Sequence, residues 1–403
     1  MTTLRDKLPD YRNRYYRLKR KEAKSNFLTR LVETYDLDRK YLIKLLNGQR
    51  DFKESHGRGR TYGKMCRKMI LKLRRYSHDL CAPYFKEMLP KLISDYEKLY
   101  GKIDLELRKQ LLSMSISTIS RIFSSNPSSL PRHGNKKSGA NKFRNNVPSC
   151  PGKAIEDGLP GVAQLDSVAH GGGGYEPFFY SVGMTDAATQ WTEYRFTWCR
   201  SAEVVVLQVE NMLQSFPFEI RKLHPDGGSE FINNTLLKII LKKFPSIEVS
   251  KSRPSRPNDN CRIEQKNGSI MRVYLGEIRL DNKNLEAELN TLAELISIRT
   301  NLFTPSKKLI EKQYKDDKHS KIKYKYDKCS TPFNRLKEID PNNLNIPKYE
   351  EIIRNINLIS LNKSIDRLTR SIIKESTHVM GVASHTHYIT EQTLGVQANE
   401  KRG

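Results

Sequence analysis

Residues 124–150 read SSNPSSLPRHGNKKSGANKFRNNVPSC, with five cations, no acid and no apolar periodicity. Such a density of Ser, Asn, Pro and Gly favours turns and extended chain over helix or strand, so the segment predicts an extended basic linker. The apolar pattern differs on its two sides. Before it, apolar residues recur at three- and four-residue spacing. From about residue 161 they alternate every second residue in short runs. A chain that changes period in this way cannot be one uniform layer, and it predicts a helical front joined to an α/β back.

The front contains a candidate helix-turn-helix. Phe27, Leu28, Leu31, Val32 and Tyr35 share one helical face. Asp36-Leu37 makes a turn, Asp38 is placed to cap a second helix carrying Tyr41, Leu42, Leu45 and Leu46, and Gly48 is placed to end it. Arg39, Lys40 and Lys44 fall on the outer face, where a recognition helix meets phosphates and base edges. A second helical pair is predicted from Leu105, Leu107, Leu111 and Leu112, with Ser115 capping a helix that bears Ile116, Ile119, Ile122 and Phe123. Between the two pairs, HGRGRTYGK reads as a basic loop whose Arg58 and Arg60 could follow a DNA backbone.

The charge distribution points the same way. Residues 1–150 hold 35 Lys and Arg against 14 Asp and Glu, whereas the rest holds 36 against 31. A basic front on a nearly balanced back is an electrostatic footprint for nucleic acid. Six scattered cysteines without a C-x-x-C pair argue against a zinc ribbon or a disulfide framework. No apolar run approaches the roughly 18 residues of a membrane span, and the N-terminus is too polar for a signal peptide. The expectation is a cytoplasmic protein with no membrane partner.

After the linker, VAQLDSVA (162–169), FFYSVGMT (178–185) and WTEYRFTW (191–198) predict three strands at hairpin-like spacing. A helix over about 202–213, a strand at 220–224, a helix near 231–244 and a strand at 247–251 follow. This is the element order of a ribonuclease-H-like α/β fold, a likeness that alone says little about chemistry. Asp166 sits in the first, apolar strand, where a carboxylate is costly without a partner. Asp226 directly follows a strand in HPDGGSEF, and Glu264 stands in RPSRPNDNCRIEQKN, just inside a predicted helix. Three hard oxygen donors without His or Cys suit Mg2+ or Mn2+. Two such ions about 3.5–4 Å apart can activate an attacking oxygen and stabilise a leaving one in phosphoryl transfer. Glu230 is a less favoured ligand, Asp186 reads as a turn residue, and His170 as a structural or supporting group.

The motifs LDSVAHGG, HPDGGSEF and RPNDNCRIEQKN resemble the integrase catalytic core shared by retroviral integrases and many bacterial insertion-sequence transposases. The resemblance extends to LTRLVETYDLDRKYLIKLLNG, LLSMSISTISRIF and NLFTPSKKL, and covers about nine-tenths of the chain. Asp226 and Glu264 have 37 residues between them, close to that family's usual spacing. Pro225 and Gly227 depart from its usual Ser-Asp-Asn-Gly, as do Ser255 and Pro257 nearer the glutamate. The resemblance implies a DDE-type transposase that cleaves and joins DNA through Asp166, Asp226 and Glu264 as catalytic metal ligands. It also implies a nucleoid-associated homo-oligomer acting on double-stranded DNA, at element terminal repeats and at a target. Arg253, Arg256, Arg262 and Lys266 would hold DNA near the metals.

The domain expectation is a helix-turn-helix region over 1–123, a basic linker over 124–160 and a catalytic core over 161–300. A small basic C-terminal region over 301–375 and a disordered tail over 376–403 follow. The alternative is a catalytically impaired remnant that only binds DNA.

Overall fold

The computed structural model describes residues 4–35, 37–49, 62–127, 158–171, 177–198, 201–225, 234–250, 263, 266–268, 270–276, 278–314 and 322–377. The expected tail beyond residue 377 and most of the expected linker lie outside these. Contacts divide the chain into two compact units, Met1–Gly63 and Lys64–Gly403.

The first unit holds three helices: α1 (Leu4–Arg17), α2 (Lys21–Tyr35) and α3 (Arg39–Leu46). Their apolar faces meet in a core of Leu4, Leu8, Tyr15, Leu28, Leu31, Leu42, Leu45 and Leu46. Asp38 caps α3 by accepting from the Tyr41 backbone N–H at 2.9 Å. Gly48, at φ +70°, closes that helix by donating its N–H to Leu45. The Arg12 guanidinium of α1 donates to the Leu45 carbonyl at 2.9 Å, satisfying an acceptor in the last turn of α3.

The second unit begins with four helices: α4 (Lys64–Tyr76), α5 (Ala82–Tyr100), α6 (Leu105–Ser113) and α7 (Ile116–Ser124). The sequence predicted α6 and α7, and Ser115 caps α7 as expected by accepting from Thr118 N–H. Leu105 and Ile116, two of the residues that suggested these helices, are exposed. They stand at the first positions of their helices, before the chain has wound onto the packed face.

A mixed five-stranded sheet follows, built from β1 (Val162–Ala169), β2 (Tyr180–Asp186), β3 (Thr192–Thr197), β4 (Lys222–Pro225) and β5 (Glu248–Val249). The spatial order is β3-β2-β1-β4-β5. β1, β2 and β3 form an antiparallel run, whereas β4 lies parallel to β1 and β5 parallel to β4. The helix α8 (Ala202–Ser215) carries the chain from β3 towards β4 and packs on β2 and β3, and α9 (Asn234–Lys243) links β4 to β5. Asp186 ends β2 as the predicted turn residue. Its carboxylate accepts from the backbone N–H groups of Gly161, Val162 and Thr189, and so ties the β2–β3 turn to the start of β1.

Further helices and strands follow. They are α10 (Met271–Leu275), α11 (Glu286–Ile298), the hairpin β6 (Leu309–Tyr314) and β7 (Ile322–Tyr326), and α12 (Pro332–Ile339). Then come α13 (Ile346–Asn355) and α14 (Leu358–Thr377). A π-helical turn, Arg299–Phe303, ends α11. α11 covers the open edge of β3 with two asparagines. The Asn301 amide accepts from Thr192 N–H at 2.8 Å and donates to Thr192 C=O at 2.9 Å. Asn290 treats Phe196 likewise, at 2.9 and 3.3 Å. Each side chain thus stands in for a neighbouring strand that β3 lacks.

α14 packs on α5 and α11, so the expected basic C-terminal region belongs to the same compact unit as the sheet. Arg299 anchors this junction, donating to the Ser77 carbonyl and to Asn362 Oδ1, both at 2.8 Å. Asp95 of α5 accepts the Leu358 N–H at 2.8 Å and so caps α14.

Candidate active site

Asp166 lies at the middle of β1, half-buried, where the central strand is flanked on both sides. Its antiparallel neighbour on β2 is Gly183, whose own neighbour on β3 is Tyr194. Directly opposed residues of antiparallel strands point to one face, so these three form a row across the sheet. Glycine is required in the middle of that row. A Cβ at Gly183 would meet Tyr194 Cε1 at 2.6 Å and Ile263 Cδ1 at 3.0 Å. The Tyr194 ring therefore lies across β2 and carries its hydroxyl towards Asp166. Burial, and then the Asp166 charge, push the phenol well above its ordinary pKa. Tyr194 is 1% exposed, and its hydroxyl meets no hydrogen-bond partner among the described residues.

A second polar group touches Asp166. Asn267 Nδ2 donates to Asp166 Oδ2 at 2.8 Å. Asn267 is buried, and its Oδ1 is without a partner among the described residues. Ile263 N–H donates to the Oε1 of the buried Gln164 at 3.4 Å. Ile263 and Asn267 therefore both rest against β1 next to Asp166. On the other side, Leu165 of β1 pairs with Pro225 at the end of β4.

The predicted partners Asp226 and Glu264 lie outside the described residues, as does Glu230. Their sequence neighbours Pro225 and Ile263 are the residues found beside β1. Among the described residues no group of three or more His, Cys, Asp or Glu side chains could hold a metal ion. The donor chemistry at Asp166 nonetheless fits a hard cation, because a half-buried carboxylate is held in place there by the Asn267 amide.

His170 caps this face of the sheet from the end of β1. It is buried, hydrogen-bonded through Nε2 to Ser181 Oγ at 2.9 Å, and pushed down to about 4 by burial and by the Arg272 charge. A neutral imidazole so enclosed is a packing group, which matches its structural expectation.

The predicted DNA contacts divide into four sets. Lys40 and Lys44 are exposed on α3. Arg39 is half-buried, and its guanidinium binds Thr29 Oγ1 at 2.9 Å and Ser25 Oγ at 2.8 Å, bracing α3 against α2. Lys266 is buried at 9% exposure, with its pKa pushed down to about 8 by burial and by the Arg335 charge. Arg58, Arg60, Arg253, Arg256 and Arg262 lie outside the described residues. Sequence reasoning missed Gly183 and Tyr194, which only the strand register brings to Asp166, and Asn267, which reaches it from about a hundred residues away.

No described protein family has a profile that matches this chain. The chain is similar to the uncharacterized protein y4rM of Sinorhizobium fredii (strain NBRC 101917 / NGR234), with 32% identity over 256 residues. The match spans 62% of this chain and 72% of that protein. This chain belongs to the family of that uncharacterized protein.

Proposed function

We propose that this protein is a DNA transposase of the integrase-core type, with Asp166, Asp226 and Glu264 as its catalytic acids. The observation that carries the proposal is local. Pro225 and Ile263, each next in sequence to one of the other two acids, lie against β1 at Asp166. The order of elements and the mixed sheet fit the ribonuclease-H-like fold that the sequence resemblance implies.

Magnesium or manganese held by the three carboxylates would polarise the scissile phosphate and the attacking oxygen. Asn267 orients the Asp166 carboxylate by donating to its Oδ2. The wall of Tyr194, Gly183 and Ile263 excludes bulk water from its inner side and raises the strength of charge interactions there. The three-helix front selects element ends and target DNA, with Lys40 and Lys44 on its outer face. The protein works as a homo-oligomer that holds two DNA ends together.

The test is strand joining with oligonucleotides that carry the terminal sequences flanking the gene. Wild-type protein with Mg2+ or Mn2+ gives joined product, whereas Asp166→Asn gives none and still retards the oligonucleotides. A wild-type protein that binds those ends but neither cleaves nor joins them is a DNA-binding remnant, and that outcome overturns the enzymatic reading.

A further inference from the structure

A buried hydroxyl without a partner costs about 1–3 kcal/mol, so a native core retains one only where something else satisfies it. Tyr194 is such a case, and it is costly twice over. Its ring requires glycine at position 183, in the middle of an otherwise fully buried strand. Phenylalanine would fill the same space with no polar atom to satisfy. The ring nonetheless lies over Gly183, between the backbones of Tyr194 and Asp166 in that row, and the hydroxyl is near enough to the Asp166 carboxylate to feel its charge. Asn267 Oδ1, the second unpartnered buried atom, belongs to the side chain that already binds Asp166. Two orphaned polar atoms, one a hydroxyl that can donate and one an amide oxygen that can only accept, thus flank a single carboxylate.

We propose that Tyr194 is a positioning residue that, together with Asn267, holds a water molecule on the inner side of Asp166 and so fixes the carboxylate for a divalent cation. A water needs two to four polar partners in a roomy polar place. The phenol hydroxyl, the amide oxygen and the carboxylate supply three. The water donates to Asn267 Oδ1 and to the carboxylate and accepts from Tyr194, which leaves no member of the group unsatisfied. Groups that orient a metal ligand from behind typically change metal affinity by about 10- to 100-fold when removed. Tyr194 touches neither DNA nor the reacting atoms in this scheme and acts only through Asp166. The inference rests on the proposed role of Asp166 as a metal ligand.

The test measures Mn2+ binding to the full-length protein by the loss of the free-ion electron paramagnetic resonance signal, without DNA and without turnover. Wild type, Asp166→Asn, Tyr194→Phe and Asn267→Ser are compared at one pH, each checked for folding by its thermal transition. The expected result is saturable binding by wild type, loss of it in Asp166→Asn, and about tenfold weaker binding in Tyr194→Phe and in Asn267→Ser. The Tyr194→Phe protein melts no lower than wild type in the absence of metal, because the ring packing is unchanged. If Asp166→Asn abolishes binding while Tyr194→Phe binds as wild type does, the positioning role is overturned and the metal site stands. If wild type and Asp166→Asn bind Mn2+ equally, or neither binds, the metal-ligand reading of Asp166 fails and this inference fails with it. Should Tyr194→Phe unfold, Tyr194→Trp is not a substitute. The Asn267→Ser arm then decides alone, and wild-type affinity there overturns the shared water.

Discussion

Glu193 shows how a single carboxylic acid is held by its surroundings. It is buried on β3, where its Oε1 accepts from Trp191 Nε1 at 2.8 Å and from Asn301 Nδ2 at 3.2 Å, with Arg195 at 3.7 Å. Burial outweighs these partners and raises its pKa to about 7. The consequence for stability has a definite sign. In the unfolded chain the group loses its proton near 4.5, so between about 4.5 and 7 the folded state holds the proton more tightly than the unfolded one. Its contribution is therefore complete below about pH 4.5 and is lost as pH rises to about 7. Glu193→Gln keeps an acceptor for Trp191 and Asn301 and removes the titration. The difference in melting temperature, variant minus wild type, should grow from pH 5 to pH 7.5 and level off above. A flat difference across that range would show that Glu193 is charged throughout in the fold. His170 opposes this trend in both proteins alike, since its lowered pKa makes stability fall as pH drops below about 6.5, so the difference isolates Glu193.

Among elements, the strands of the five-stranded sheet and their joining helices were legible because each carries its own period. The first strand was expected over 162–169 and lies at Val162–Ala169. The next two differ from expectation by one or two residues at their ends. The helices α4 and α5 were not foreseen, for two reasons of physical chemistry. In KMCRKMILKLRRY the inward positions are Cys66, Ile70 and Leu73, a thin apolar stripe within a run of cations. In α5, Pro90 stands inside the helix where it would ordinarily break it, yet the packing of Phe85, Leu89, Leu92 and Ile93 carries the helix through. The asparagine cover of β3 was illegible for a different reason. Asn290 and Asn301 lie about a hundred residues from the backbone they satisfy, and no local pattern marks them. Their weights should differ. Asn301 is 1% exposed, and Asn301→Ala strands a buried N–H, a buried C=O and a contact to Glu193, a loss of about 3 kcal/mol. Asn290 sits where water can reach it, and Asn290→Ala should cost about 1 kcal/mol. Urea midpoints at unchanged slope measure both. Equal losses would mean that water does not reach the Phe196 end of the edge.

For the whole molecule, the charge asymmetry is the property that individual elements cannot show. The net charge is +26, concentrated in residues 1–150, and the three-helix unit at Met1–Gly63 lies inside that basic half. Folding has divided the three cations expected on α3 between two tasks. Arg39 spends its guanidinium on Ser25 and Thr29, so its removal loosens the α2–α3 angle as well as subtracting a charge. Lys40 and Lys44 are exposed and free to meet phosphates. Each phosphate neutralised by a cation adds about −0.9 to the slope of log affinity against log salt concentration. The double variant Lys40→Ala/Lys44→Ala of the full-length protein should therefore bind duplex DNA more weakly at 100 mM salt and show a slope shallower by about 2. Its thermal transition should stay where the wild-type transition lies, because neither side chain is part of the core. Arg39→Ala should lower both the affinity and the first unit's melting temperature. Titrations between 50 and 200 mM salt decide the matter. An unchanged slope in the double variant would overturn the proposed part of α3 in binding DNA.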